Sequence, residues 1–181
     1  MKEGLILYGA PASGKDTVTA ALVAKYPQFE HFRRLKAGAG RTSGYRMISE
    51  ARANALRKTP GAILWENTRY SATYIVERSG LEQIWQSGRI PVVHIGQVDA
   101  IDALRAAEAR WTVVELYAPL AALHSRIRSR GTGDDDQRFA AIERTPSLQA
   151  ADMRIDTGVV SIAEAAEMIA RLVQASRNLS G

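Results

Sequence analysis

A glycine-rich turn set between an apolar run and a helical pattern constrains this chain most. Residues 4–8 close with Leu5-Ile6-Leu7-Tyr8 and read as a buried strand. Gly9-Ala10-Pro11-Ala12-Ser13-Gly14-Lys15 follows. Residues 15–25 then carry Val18, Ala21, Leu22 and Ala24 at helical spacing, and Pro27 stops the helix. A strand, a Gly-x4-Gly-Lys turn and a helix in that order form a phosphate-binding loop. Its glycines let successive N–H groups turn inward around phosphate oxygens. The helix N-terminus adds positive potential, and the lysine adds a mobile charge for the β- and γ-phosphates. The motif expects Ser or Thr after the lysine to hold Mg²⁺. Here Asp16 and then Thr17 occupy the next positions. A carboxylate also suits a hard cation, so both stand as candidate metal ligands.

Strand and helix signals alternate past the loop. Strands are expected at 29–33, at 62–66 after Gly61, at 91–95, at 111–117 and at 153–155. Helices are expected at 49–58 with Ser49 as N-cap, at 79–87, at 98–109, at 119–130, from the polar loop 131–136 onward to Arg144, and at 161–176. This order predicts an α/β, three-layer fold, with a parallel sheet flanked by helices. It predicts one domain over residues 1–181. Residues 35–75 fit the alternation worst. With the flexible stretch 37–44, they are expected to form a small inserted substrate-binding lobe.

Bulk properties narrow the partners. Hydrophobic residues make up 46% of the 181, enough to build a core. No uninterrupted apolar run reaches the roughly 18 residues of a membrane helix. The first residues lack the layout of a signal peptide. The absence of cysteine excludes disulfides, thiolate metal sites and a thiol nucleophile. A cytoplasmic location without membrane contact is the resulting expectation. The net charge of +5 and pI of 9.7 favour anionic partners. Arg33, Arg34, Lys36, Arg41 and Arg46 fall in one stretch, and Arg126, Arg128, Arg130 and Arg138 in another. No nucleic-acid-binding motif accompanies them. They read as clamps on the phosphates of small molecules.

Together these stretches, from residue 4 to about 172, resemble the guanylate kinase family of P-loop nucleoside monophosphate kinases. That resemblance implies ATP with Mg²⁺ as donor, bound by Gly9 through Thr17, and a phosphorylated acceptor. Arg33 and Lys36 have the spacing of the family's phosphate-binding basic pair, and Gly38 and Tyr45 fall in step with them. Arg41 lies in the same loop. The family's guanine-reading glutamate would fall at Ala39, and Gly44 stands where an aspartate is expected. The segment Trp65-Glu66-Asn67-Thr68-Arg69-Tyr70-Ser71-Ala72-Thr73-Tyr74 matches a tyrosine-rich acceptor segment in character rather than letter. Glu66 and Asn67 are candidates to read a base or sugar, and Tyr70 and Tyr74 to reach phosphate. Trp65 and Tyr74 also suit a core.

Arg126-Ile127-Arg128-Ser129-Arg130-Gly131, with Arg138 beyond it, resembles the family's lid, here residues 126–145. The resemblance assigns catalysis to Lys15, Arg126, Arg130 and Arg138. Arginines around the transferring group neutralise its equatorial oxygens. Strand 91–95 departs from the family: His94-Ile95-Gly96-Gln97 replaces its Asp-Ile-Asp. Gln97 is a candidate for sugar or metal-water contacts. His94 is open between structural and catalytic roles. A related bacterial branch, ribose 1,5-bisphosphate phosphokinase, also has Gly-Lys-Asp, as Gly14-Lys15-Asp16 does here, and also lacks the guanine-reading glutamate. A sugar-phosphate acceptor is therefore the alternative to a GMP-like one. A non-catalytic guanylate kinase-like binding module is a further alternative.

Overall fold

The computed structural model describes residues 2–69, 71–107, 109–131 and 133–178. The elements run β1 (Glu3–Tyr8), α1 (Lys15–Lys25), β2 (Phe29–Phe32), β3 (Leu35–Gly38), β4 (Arg46–Met47), α2 (Glu50–Arg57), β5 (Ile63–Arg69), β6 (Ala72–Glu77), α3 (Arg78–Gln86), β7 (Ile90–Ile95), α4 (Val98–Arg105), β8 (Arg110–Tyr117), α5 (Leu120–Arg128), α6 (Asp135–Glu143), β9 (Met153–Asp156) and α7 (Ile162–Asn178).

Five strands form a wholly parallel sheet in the order β2-β7-β1-β8-β9. A central parallel strand is covered on both faces and must be apolar on both. β1 meets that demand, with Leu5 to Tyr8 fully buried. The two-residue period still sorts this continuous run. Leu5 and Leu7 join Val92, Val114 and Leu116 under α1 and α7, while Ile6 and Tyr8 join Val93, Ile95 and Val113 under α3 and α4. The result is the expected α/β architecture, a parallel sheet between two helical layers.

Residues 35–77 build a second sheet, ordered β4-β3-β6-β5. β3 pairs β4 in parallel, and β6 runs antiparallel to both β3 and β5. α2 packs beside it over Leu35, Ala37, Ala53, Leu56 and Ile75. The Ser49 hydroxyl accepts a bond from the Arg52 N–H at 3.1 Å, as an N-cap does. β3, β4 and β6 carry little sequence signal. β6 is buried at every residue and lacks alternation, and β3 is cut short by a glycine. α4 stops at Arg105, short of the expected 109. Among the described residues no helix is long and apolar enough to cross a membrane.

Candidate active site

All five strands of the main sheet point the same way, so their C-terminal ends share one edge, where open α/β sheets bind ligands. Gly9 leaves β1 at this edge between β7 and β8. Its N–H donates to the Ile95 carbonyl at 3.1 Å. Its φ is 153°, and a Cβ there would lie 2.2 Å from the Leu116 carbonyl oxygen. Only glycine fits so close a backbone approach. Gly9→Ala is expected to cost about 1–3 kcal/mol, read as a lower denaturation midpoint at unchanged slope. Gly14 turns at φ 98° into α1, and Ala12 holds a left-handed φ of 64° without glycine's freedom.

Lys15 folds back over the loop. Its ammonium donates to the Gly9 and Ala10 carbonyls at 2.7 and 2.8 Å and to Ser13 Oγ at 3.3 Å. Burial pulls it down to about 7, Arg34 and Arg130 push the same way, and Asp16 opposes them. Asp16, the next residue, faces β7. Its Oδ1 lies 3.4 Å from His94 Nδ1 and its Oδ2 3.2 Å from an Arg41 nitrogen. His94 and Arg41 hold its carboxyl well below the usual carboxylate range despite the burial that opposes them. Thr17 Oγ1 donates to the Gly14 carbonyl at 2.9 Å.

The loop opens into a cleft of about 290 Å³ that reaches across to the second sheet. Among the described residues, seven cationic side chains line it, Lys15, Arg34, Lys36, Arg41, Arg69, Arg130 and Arg138, against two carboxylates, Asp16 and Asp134. The opposite wall is a tyrosine pair, Tyr45 and Tyr74, with ring centroids 5.2 Å apart. Arg34 and Lys36 both lie against these two rings at 5.4–5.8 Å. Lys36 is 1% exposed, and its ammonium donates to the Arg41 carbonyl at 2.8 Å. Burial and Arg41 lower its proton affinity. Asn67 and Gln97 line the same space, and Gln97 Oε1 is buried without a partner among the described residues.

Three expected site residues lie elsewhere. Arg33 is exposed and outside the cleft, where Arg34 stands in its place. The reason is period: Arg34 and Lys36 are two apart across the start of β3 and share a face, whereas a spacing of three puts Arg33 on the other. Glu66 is turned away on β5 and clamped to Arg57 of α2 at 2.9–3.2 Å. Alternation along β5 explains it, since Trp65 enters the core, and Asn67 and Arg69 line the cleft. Arg126 touches no cleft space. It donates to the Ala12 carbonyl at 3.2 Å, Thr157 Oγ1 at 3.0 Å and the Thr157 carbonyl at 2.8 Å, so it braces the phosphate loop from behind. Tyr70 lies outside the described residues.

His31, Arg69, Gln137 and Thr145 line the cleft without having been singled out. The two-residue step from Asn67 to Arg69 was the available signal for one of them. The others are joined by tertiary folding alone. Arg130 and Arg138 line the cleft, Arg138 with its Nε 2.6 Å from Asp134. Asp99 accepts from the Trp65 indole N–H at 2.9 Å, which ties β5 to α4.

No protein-family model matches the sequence, and no curated protein matches it. Solved structures do match in fold. A guanylate kinase from Anaplasma phagocytophilum superposes with a TM-score of 0.63 at 16% identity, over 97% of this chain and 86% of that one. The protein APE1195 superposes with a TM-score of 0.57 at 18% identity, over 97% of both chains. The phosphate loop at the edge of a five-stranded parallel sheet, the second sheet beside it and these superpositions together give the chain a guanylate kinase-like fold.

Proposed function

We propose that this chain is an ATP-dependent phosphotransferase that moves the γ-phosphoryl group of ATP to a phosphate of a small acceptor, as nucleoside monophosphate kinases do. One observation carries this reading: the phosphate loop and the cationic, tyrosine-backed wall converge on a single cleft. A donor triphosphate held by Gly9 to Thr17 and an acceptor phosphate held by Arg34, Lys36, Arg41, Tyr45 and Tyr74 would meet there in line. Lys15 would bind the β- and γ-phosphates. Arg130 and Arg138 would neutralise charge on the transferring group, and closure of residues 126–145 would exclude water. Arg126 would act on the loop's shape. No strong base is required, because a phosphate acceptor is already ionised near neutral pH.

Magnesium bound with ATP would supply positive charge against the triphosphate. The donor set suits it: Asp16 offers an ionised carboxylate on the cleft, with Thr17 beside it. A coupled assay of ADP release across nucleoside monophosphates and sugar bisphosphates tests the proposal. Acceptor-dependent, Mg²⁺-dependent release with at least one of them is expected, and none with any would sink it.

A ribose 1,5-bisphosphate-like acceptor is the second reading. Ala39 leaves no guanine-reading carboxylate, and Arg69, Asn67 and Gln97 line the cleft instead. The extra cation suits a second anion, and the amides suit sugar hydroxyls.

A further inference from the structure

Phosphate-loop enzymes ordinarily divide the metal between a hydroxyl that follows the lysine and a carboxylate on a neighbouring strand. In this chain a carboxylate takes the position of the hydroxyl. The residue after Lys15 is the carboxylate, Asp16, and β7 ends in His94-Ile95-Gly96-Gln97 without one. On the other flank, β8 carries Glu115, but it is 4% exposed and accepts from Arg154 Nε at 2.7 Å. Within the cleft, Asp134 is engaged by Arg138. Among the described residues that line the cleft, Asp16 is the carboxylate next to the phosphate-loop lysine.

Its surroundings fix its direction. An ionised carboxylate only accepts, so the His94 nitrogen facing it, Nδ1, carries the proton. Nε2 is then the acceptor, and Thr19 Oγ1 donates to it at 2.7 Å. Thr19 lies three residues along the same helix from Asp16 and is buried. His31 stacks on the His94 ring at a centroid distance of 4.4 Å and an interplanar angle of 29°. The ring cannot turn without losing these contacts. Arg41, in contrast, reaches Asp16 from the exposed stretch that follows β3, and its side chain is 40% exposed. Thr17 spends its hydroxyl proton on the Gly14 carbonyl of its own helix turn.

Resting on the phosphotransferase reading above, we propose that Asp16 is the protein's ligand to the nucleotide-bound divalent cation, with His94 as its positioning residue and Arg41 as a counter-charge that the cation displaces. Metal–nucleotide binding then releases the Arg41 guanidinium toward the acceptor side of the cleft.

The test is calorimetry with a non-hydrolysable ATP analogue, in excess Mg²⁺ and in EDTA, using the ratio of the two affinities. The ratio cancels electrostatic effects common to both conditions. Asp16→Asn is expected to lower it about tenfold or more, and His94→Phe about tenfold, as loss of an outer-shell partner does. His94→Asn, which keeps a donor in place of Nδ1, is expected to stay within about threefold of the parent. Arg41→Gln is expected to raise the ratio by up to about fivefold, the scale of an exposed ion pair. That arm lies in an exposed segment and stands even if Asp16→Asn failed to fold. An unchanged ratio in Asp16→Asn, a collapse in Thr17→Val instead, or a fall in Arg41→Gln would each overturn the assignment. No binding by the parent chain in either condition would overturn the phosphotransferase reading and this inference with it.

Discussion

Lys15→Met is expected to abolish most of the proposed phosphoryl transfer, lowering kcat/KM by about a thousandfold, the scale for removing one preorganised charge from a transition state. The substitution keeps the length and apolar stem and removes only the ammonium, which donates to the Gly9 and Ala10 carbonyls. The same residue sets a pH dependence. In the empty protein burial brings it down to about 7, helped by Arg34 and Arg130. Bound phosphate oxygens raise it again. Affinity from this lysine is therefore complete below about 7 and is lost as pH climbs toward the raised, bound value. Metal-free ATP is expected to bind more weakly at pH 9 than at pH 7.5, by up to about tenfold per unit, with proton uptake visible as a buffer-dependent enthalpy. Folding has the opposite sign. The folded value lies below the ordinary 10.5, so the empty protein gains stability as pH rises from about 7 through that range. Both slopes should vanish in Lys15→Met. An affinity flat in pH in the parent chain would contradict the account.

Under the proposed function, Arg130→Ala is expected to have the second large effect, a fall in kcat of about a thousandfold with ATP affinity changed less than tenfold. Arg130 follows α5 in a turn closed by its N–H bond to the Ile127 carbonyl at 3.1 Å, and Gly131 and Gly133 beyond it hold φ of 57° and 74°. Its exposed side chain can swing onto a transferring group without unpacking the core. Arg126→Ala should behave differently. Its guanidinium reaches only loop and backbone atoms at Ala12 and Thr157, so ATP affinity and thermal stability should fall together. Single-turnover kinetics beside equilibrium binding separates the two. Equal losses of affinity in both variants would remove the distinction between a charge-stabilising and a loop-bracing arginine.

What could be read in one dimension follows from locality. The phosphate loop is a contiguous string, and its glycines, its lysine and the strand and helix around it occupy neighbouring positions. β1 announces itself by an unbroken apolar run, which burial on both faces demands. The second sheet was legible only as a break in the alternation, because β6 pairs with β3 and β5 on both edges and is buried at every residue, leaving no polar stripe to mark it. On β5 the two-residue period separated Glu66 from Asn67 and Arg69, and spacing by family motif overrode that signal. Arg33 and Arg34 were divided by the same geometry.

By itself, then, the sequence determined one side of the cleft: the loop from Gly9 to Lys15, the departure at Asp16, and the order of strands and helices that makes a parallel sheet with the loop at its C-terminal edge. Tertiary structure alone decided what faces that loop. It set His94 of β7 against Asp16 and Thr19 of α1, stacked His31 of β2 behind it, and brought Arg41 across from the second sheet. The physical reason is range. Phosphate capture by a backbone loop needs consecutive residues, whereas aiming one carboxylate into a cleft needs partners from several strands that meet only once the sheet has formed.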